Sequence, residues 1–307
     1  ISPMRKTKII CTLGPASDSE EKIREILQAG ANIFRLNMSH AKPEWVRRVV
    51  QDIRSLAERH KRAVGILLDT QGPSIRTGDV AQKIPLSVGE RFTFTVRGKV
   101  PTEGKWTSVG YDQFADDVHT GDTLIVDNGE MKMRIVSKTT DTVECEVLTE
   151  GTLGSRRHIN LPGVHVSLPA LTDKDKDDIR LGLEVGVDYV ALSFVREPHD
   201  IELLRAFLKQ HPSAHQPQIV AKIEHQFAVN HFDAIAREAD VIMVARGDLG
   251  IECNYEELPI IQRRIVKTCQ QLGRPVIVAT HMLESMIQSP LPTRAEITDV
   301  ANAVFEQ

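Results

Sequence analysis

The chain has 307 residues, 41% of them hydrophobic and 26% charged, the balance of a globular protein with ample length for a buried core. Its formal charge of −4 gives no electrostatic case for nucleic acid, and no apolar run approaches a membrane span, so neither is an expected partner. The four cysteines are scattered without a CxxC pair, which excludes an obvious disulfide framework or zinc site and points to a reducing cytoplasm.

The basic start Arg5-Lys6-Thr7-Lys8 precedes an apolar run too short for a secretory signal. Met4 is a candidate native start, which would leave Ile1, Ser2 and Pro3 as a remnant or an accident of numbering. Lys8–Leu13 is an apolar run closed by Gly14-Pro15 and predicts a buried strand. Ser17 or Ser19 can cap the next helix, with Glu20 and Glu21 near its positive end, a stripe of Ile23, Ile26 and Leu27, and Gly30 as its stop. Asn32–Leu36 (strand), Pro43–Arg59 (helix) and Ala63–Leu68 (strand) follow, a spacing that predicts parallel strands covered by helices.

From about residue 80 the texture changes. Phe92–Val96, Lys132–Val136 and Val143–Val147 alternate with period two between turns such as Gly121-Asp122 and Asp127-Asn128-Gly129, predicting a small antiparallel β module. After Asn160-Leu161-Pro162-Gly163 the α/β alternation resumes, with strands at Asp188–Ser193, Gln218–Ile223, Val241–Ala245 and Pro275–Ala279, each leading into a helical segment. Seven strands are one short of a (β/α)8 TIM-type barrel, and the sequence ends in a helix-like segment, Thr293–Phe305, where an eighth strand is expected next. An open doubly wound sheet is the alternative. The missing GxGxxG after the first strand and the recurrence of polar clusters after nearly every strand favour the barrel, whose rim collects loops from all strands. The expected division is a discontinuous barrel domain, 1–79 and 159–307, interrupted by a β lid at 80–158.

The second strand leads into Arg35-Leu36-Asn37-Met38-Ser39-His40 and the third into Asp69-Thr70-Gln71-Gly72-Pro73-Ser74-Ile75-Arg76. Oxygens of Asn37, Ser39 and Thr70 with the Asp69 carboxylate suit a weakly charged hard cation, and Arg35 and Arg76 suit phosphate oxygens. Taken alone, either segment reads more readily as turn caps and an Arg–carboxylate pair. Lys222 and Glu224, two apart on a strand, share a face. Glu224 with Asp248 forms a candidate carboxylate pair for Mg²⁺ or Mn²⁺, and Lys222 places positive charge where phosphoryl oxygens gather it. Gly247 and Gly250 allow a tight turn with N–H groups free for a substrate carboxylate or phosphate. A plain Lys–Glu pair plus a helix cap leaves too many of these strand-end polar residues unexplained. Thr280 can present a hydroxyl, His281 is open between rim ligand and structural residue, and Met282, Leu283 and Met286 at helical spacing read as core.

Lys8–Ser17, Arg35–His40, Leu68–Pro73, Asn160–Gly163, Lys222–Glu224, Met243–Gly250 and Pro290–Glu296 resemble, in order, the motifs of pyruvate kinases along nearly the whole chain. The resemblance implies a barrel interrupted by a mobile lid, moving a phosphoryl group from phosphoenolpyruvate to ADP to give pyruvate and ATP in glycolysis. By motif, Glu224 and Asp248 would hold Mg²⁺ (or Mn²⁺), and Asn37, Ser39, Asp69 and Thr70 would hold K⁺. Arg35 and Lys222 would act on the transferred group, and Thr280 would lie near the face of the enolate that is protonated. Ala245, Arg246, Gly247, Asp248 and Thr280 would bind phosphoenolpyruvate. Pro15, Arg35, Asn37, His40 and Arg76 would line the nucleotide site, with Arg157 where the family often has lysine and Asp127 matching an acid of the lid. A homotetramer is the family's assembly.

Three departures stand out. Ser74 occupies the place of an acid in K⁺-dependent members or a lysine in K⁺-independent ones, and with no lysine there K⁺ dependence is expected. His281 stands where glutamine is common and His225 where asparagine is common. The family also continues beyond this sequence with an eighth strand and a further α/β domain. Two other readings remain open: a metal-enolate aldolase-type lyase on a similar barrel, and a non-catalytic fragment that binds ligand or partner chains.

Overall fold

In the computed structural model, residues 6–211 and 213–306 are described; Met4 and the three residues before it lie outside them. β1 (Ile10–Leu13) leads into α1 (Glu20–Ala29), which is capped by Ser19 accepting from the Lys22 N–H at 3.3 Å. Gly30 ends that helix at φ 108°, a backbone conformation that strains any residue with a Cβ. β2 (Ile33–Asn37), α2 (Pro43–Arg59) and β3 (Gly65–Asp69) follow, with Val46, Val49, Val50, Ile53 and Leu56 forming the buried stripe of α2. All three strands and both helices expected from the pattern are present.

The chain then builds a second sheet. Its strands are β4 (Ile75–Arg76), β5 (Ile84–Leu86), β6 (Arg91–Thr95) and β7 (Lys105–Ser108), then, after α3 (Phe114–Asp117), β8 (Thr123–Val126), β9 (Met131–Lys138), β10 (Thr142–Val147), β11 (Gly151–Leu153) and β12 (His158–Asn160). The order is β4-β12-β8-β9-β10-β6-β7, with β11 and β5 paired separately. Antiparallel pairing dominates as expected, but β6 and β7 run parallel, joined by the connection from Val96 to Gly104. Ile75–Arg76 and His158–Asn160 pair with each other, so this sheet takes in strands on both flanks of 80–158.

After α4 (Asp173–Val185) come β13 (Tyr189–Leu192), α5 (Pro198–Gln210), β14 (Gln218–Ile223), α6 (Gln226–Asn230), α7 (Phe232–Glu238), β15 (Val241–Ala245), α8 (Arg246–Glu252), α9 (Leu258–Leu272), β16 (Val276–Ala279) and α10 (Arg294–Phe305). The parallel sheet runs β1-β2-β3-β13-β14-β15-β16, which is chain order once the β module is removed. It is a curled (β/α) wall of seven strands, with no eighth strand among the described residues. One expected core segment differs. Met282, Leu283 and Met286 form no regular α-helix: Leu283 is left-handed at φ 58°, a short 3₁₀ turn covers Glu284–Ile287, and Met286 is exposed.

Alternation divides the strand residues between two faces. Phe34, Leu68, Val190, Ile219 and Ile242 pack outward against the helices. Leu67, Ala191, Val220, Val241 and Met243 form a small inner cluster. Two residues further along β3, β13 and β14 the inner row turns polar, at Asp69, Ser193 and Lys222, and Glu224 follows two residues after Lys222. The module has its own core around Phe92, Phe94 and Phe114. No helix among the described residues is long and apolar enough to cross a membrane.

Phe94 is fully buried, with its ring centroid 5.0 Å from that of Phe92 and 6.0 Å from that of Phe114. Phe94→Ala is expected to destabilise the module by about 3–5 kcal/mol. The chain's two tryptophans report separately, Trp106 on β7 in the module and Trp45 on α2 in the barrel. In denaturant, a shift of the Trp106 transition alone supports two independent cores, and a joint shift argues for one.

Candidate active site

The polar end of the inner row converges on Lys222. Its Nζ lies 2.8 Å from Glu224 Oε1, 3.1 Å from Asp69 Oδ1 and 2.9 Å from Ser193 Oγ. Arg35 Nε donates to the other Asp69 oxygen at 2.6 Å and its Nη1 to Thr12 Oγ1 at 3.0 Å. Glu224 Oε2 accepts the Phe194 N–H at 2.8 Å, with Phe194 held at φ 55°. Asp69 and Glu224 are each 1% exposed, so these are charges removed from water and balanced by one another.

The electrostatics follow from that burial. For Lys222, burial opposes the ammonium, but Glu224 and Asp69 outweigh it and hold the pKa above its usual value. For Asp69, burial raises the pKa, but Lys222 and Arg35 overcome this and leave it lowered. Glu224 ends raised: burial and the nearby Asp248 charge exceed the pull of Lys222. Lys222 and Arg35 thus face Asp69 and Glu224, and Asp248 adds a further carboxylate near Glu224 with no salt-bridge partner among the described residues. Hard carboxylate oxygens in deficit of positive charge fit a divalent ion such as Mg²⁺. Among the described residues there is no cluster of three or more His, Cys, Asp or Glu arranged for a metal, so protein carboxylates alone would leave coordination positions to water or substrate.

An open cleft of about 1770 Å³ is lined by Arg35, Lys222, Glu224, Ala245, Gly247, Asp248, Thr280 and His281. It also extends down the inner wall to Gln218 and Arg274, so its volume exceeds that of any substrate site at the rim. Asn128, Gly129 and Glu130 of the module's β8–β9 turn border it. Thr280 sits at φ 66°, a strained conformation for a β-branched residue. Its Oγ1 accepts the Gly247 N–H at 2.7 Å and its carbonyl accepts from Arg246 at 2.8 and 3.2 Å.

The other expected residues are placed as follows. The Arg246 side chain turns away from the cleft and pairs with Asp299 on α10 at 2.5 and 2.8 Å, so only its backbone faces the Gly247–Asp248 turn. Asn37 Oδ1 accepts the Ser39 N–H at 3.1 Å, a turn cap. Thr70 Oγ1 donates to the Ala191 carbonyl at 3.0 Å. Arg76 donates to the Arg156 carbonyl at 3.2 Å and to Ser74 Oγ at 3.3 Å, and Arg157 pairs with Asp127 at 3.2 Å. Pro15, Asn37, Ser39, His40, Arg76 and Arg157 are not among the residues lining the cleft. Ser193 and Phe194 were not expected from the sequence. Ser193 Oγ accepts from Lys222 and donates to the Thr70 carbonyl at 2.7 Å. The only signal that could have found it is its position on the inner row two residues after Ala191. Gly72 makes room for it: at φ 71°, a Cβ there would lie 2.7 Å from Ser193 Cβ.

Asp69 supplies a test. Its lowered pKa means the unfolded chain takes up the proton first, so its stabilisation is present above about pH 4 and fades as pH falls below that. Asp69→Asn is expected to lose about 3–5 kcal/mol at pH 7, because Lys222 and Arg35 lose a buried counter-charge. The loss should shrink on acidification. Denaturant midpoints from pH 7 to pH 3 check both, and a pH-independent loss would reject the electrostatic account.

Residues 4–307 match the family described as the pyruvate kinase barrel domain. The chain is 44% identical over 306 residues to a pyruvate kinase of Bacillus licheniformis, covering 99% of this chain and 52% of that protein. It is also 44% identical over 303 residues to plastidial pyruvate kinase 2 of Arabidopsis thaliana, covering 98% and 52%. A crystal structure of a pyruvate kinase from Cryptosporidium parvum superposes with a TM-score of 0.94 at 39% identity, covering 98% of this chain and 63% of that one. The chain therefore spans about half the length of the curated relatives it matches. Inner-row geometry, sequence and fold agree that the chain belongs to the pyruvate kinase family.

Proposed function

We propose that this chain carries the catalytic centre of a pyruvate kinase, transferring a phosphoryl group between phosphoenolpyruvate and ADP. The observation that carries this reading is the buried Lys222 ammonium at an open cleft, paired with Glu224 and with the Asp69 carboxylate that also holds Arg35, while Asp248 lines the same cleft. Lys222 stays protonated under the pull of Glu224 and Asp69, so it holds fixed positive charge against the phosphoryl oxygens as charge gathers there. Arg35, anchored by Asp69 and Thr12, presents its remaining guanidinium N–H to the same group. The backbone turn at Gly247 and Asp248 orients the substrate carboxylate, and the Thr280 hydroxyl, steadied by Gly247, faces the carbon that is protonated.

Glu224 and Asp248 would hold Mg²⁺ or Mn²⁺, which when bound neutralises phosphate charge and draws substrate oxygens into line. Asn37, Ser39, Asp69 and Thr70 would hold K⁺; the neutral oxygens of Asn37, Ser39 and Thr70 with the Asp69 carboxylate suit it, and Ser74 brings no competing lysine charge. Pro15, His40, Arg76 and Arg157 form the nucleotide side of the proposal, and the module acts as its lid. A homo-oligomer belongs to the same proposal. Four free cysteines suit a reducing compartment, the cytoplasm or a plastid as in the Arabidopsis relative.

Pyruvate formation from phosphoenolpyruvate, ADP and Mg²⁺, with and without K⁺, tests the reading; turnover that ignores ADP would turn it toward lyase chemistry. Lys222→Met is expected to lower kcat by at least about 10²–10³-fold while phosphoenolpyruvate still binds. Near-normal turnover in that variant rejects the role assigned to Lys222.

A further inference from the structure

One buried carboxylate takes no part in the chemistry above. Glu252 ends α8, one helical turn after Asp248, and its side chain is 3% exposed. Its Oε1 accepts from Asn160 Nδ2 at 2.9 Å, and its Oε2 lies 3.2 Å from His225 Nε2, off the alignment of a full hydrogen bond. These partners come from separate parts of the chain. Asn160 is the last residue of β12, where the module's chain returns to the barrel. His225 directly follows Glu224. Its Nδ1 accepts the Phe227 N–H at 3.2 Å, which leaves the proton on Nε2, facing Glu252.

A stability role alone accounts poorly for an acid here. The last turn of a helix disfavours negative charge, and burial pushes Glu252 up to about 7 against the pull of the Asn160 bond. Burial, with Arg196 and His165 nearby, pushes His225 down to about 4, so the ring is neutral and offers only a weak counterpart. Glu252 Oε2 and Asn160 Oδ1 have no hydrogen-bond partner among the described residues. They border a cavity of about 50 Å³ that also touches His158, Phe194 and Arg196, room for an ordered water or two. An apolar residue would pack such a place at lower cost.

We propose that Glu252 is a positioning residue that ties the returning strand of the β module to the helix bearing Asp248 and the loop bearing Glu224, so that the seating of the module sets the spacing of the two carboxylates. The inference rests on the reading of Glu224 and Asp248 as the divalent site. Module and metal then communicate through one side chain: Glu252 shares α8 with Asp248 and meets His225, the residue next to Glu224.

The test uses the full-length protein at pH 8. Mn²⁺ affinity, hydrogen exchange of residues 158–172, and kcat and KM for phosphoenolpyruvate are measured in wild type, Glu252→Gln, Glu252→Ala, Asn160→Asp and the double variant Asn160→Asp/Glu252→Gln. Glu252→Ala and Asn160→Asp are expected to weaken Mn²⁺ by about 10-fold or more, speed exchange at 158–172, and lower kcat more than they raise KM. Glu252→Gln keeps an acceptor for Asn160 and loses less. The double variant, with donor and acceptor exchanged, is expected to recover most of the Mn²⁺ affinity and exchange protection. Wild-type Mn²⁺ affinity in Glu252→Ala, or a double variant no better than Asn160→Asp, overturns the inference alone. A wild type that binds no Mn²⁺ overturns the divalent site and the inference with it. Should Glu252→Ala not fold, the glutamine and double variants carry the same comparison.

Discussion

Lys222 Nζ lies within 3.1 Å of groups from three strand ends, Asp69, Ser193 and Glu224. An ammonium out of water is tolerated only where carboxylates and hydroxyls replace its hydration shell, and an acid out of water only where a cation does the same. Each charge in this group is therefore a condition for the others. Arg35 is fixed because Asp69 is buried, Asp69 stays ionised because Lys222 and Arg35 face it, and Ser193 is oriented because it bridges Lys222 and the Thr70 carbonyl. The rim is held by these mutual contacts without any covalent constraint.

That arrangement is a product of strand register. Parallel pairing places Asn37 beside Asp69 and aligns Lys222 with Met243 on the neighbouring strand. With side chains alternating in and out, the inner row is apolar along the strands and polar at their ends. A slip of one residue in β14 would send Lys222 and Glu224 into the helical layer and bring Ile223 to the rim. The outward residues Phe34, Leu68, Ile219 and Ile242 thus select the site as firmly as the polar residues do, because they decide which face can be buried.

Much of this was readable in advance because parallel strands are short apolar runs with punctuated ends, and polar residues at those ends stand out against them. Asp69, Lys222 and Glu224 could be named for that reason. Ser193 could not: a serine after Val-Ala-Leu has no signature until its strand is placed between β3 and β14. The parallel β6–β7 pair was hidden because alternation gives a strand's faces but not its neighbour's direction. Met282, Leu283 and Met286 carried a helical spacing, yet the left-handed backbone at Thr280, His281 and Leu283 prevents a helix from starting there. The partner of Arg246 was hidden too, because its counter-charge, Asp299, lies 53 residues further on.

The Arg246–Asp299 pair reaches beyond packing. α10 is among the more exposed helices, with Ile297 and Phe305 open to solvent, and it meets the cleft only through the apolar Val300, Ala303 and Val304. Even so, Asp299 holds the guanidinium that grips the Thr280 carbonyl, and Thr280 in turn receives the Gly247 N–H. A genetic screen scored by activity would group Asp299 with the residues of the rim, and second-site suppressors of its loss would be sought at Gln262, the other polar neighbour of Arg246, before anywhere near the substrate.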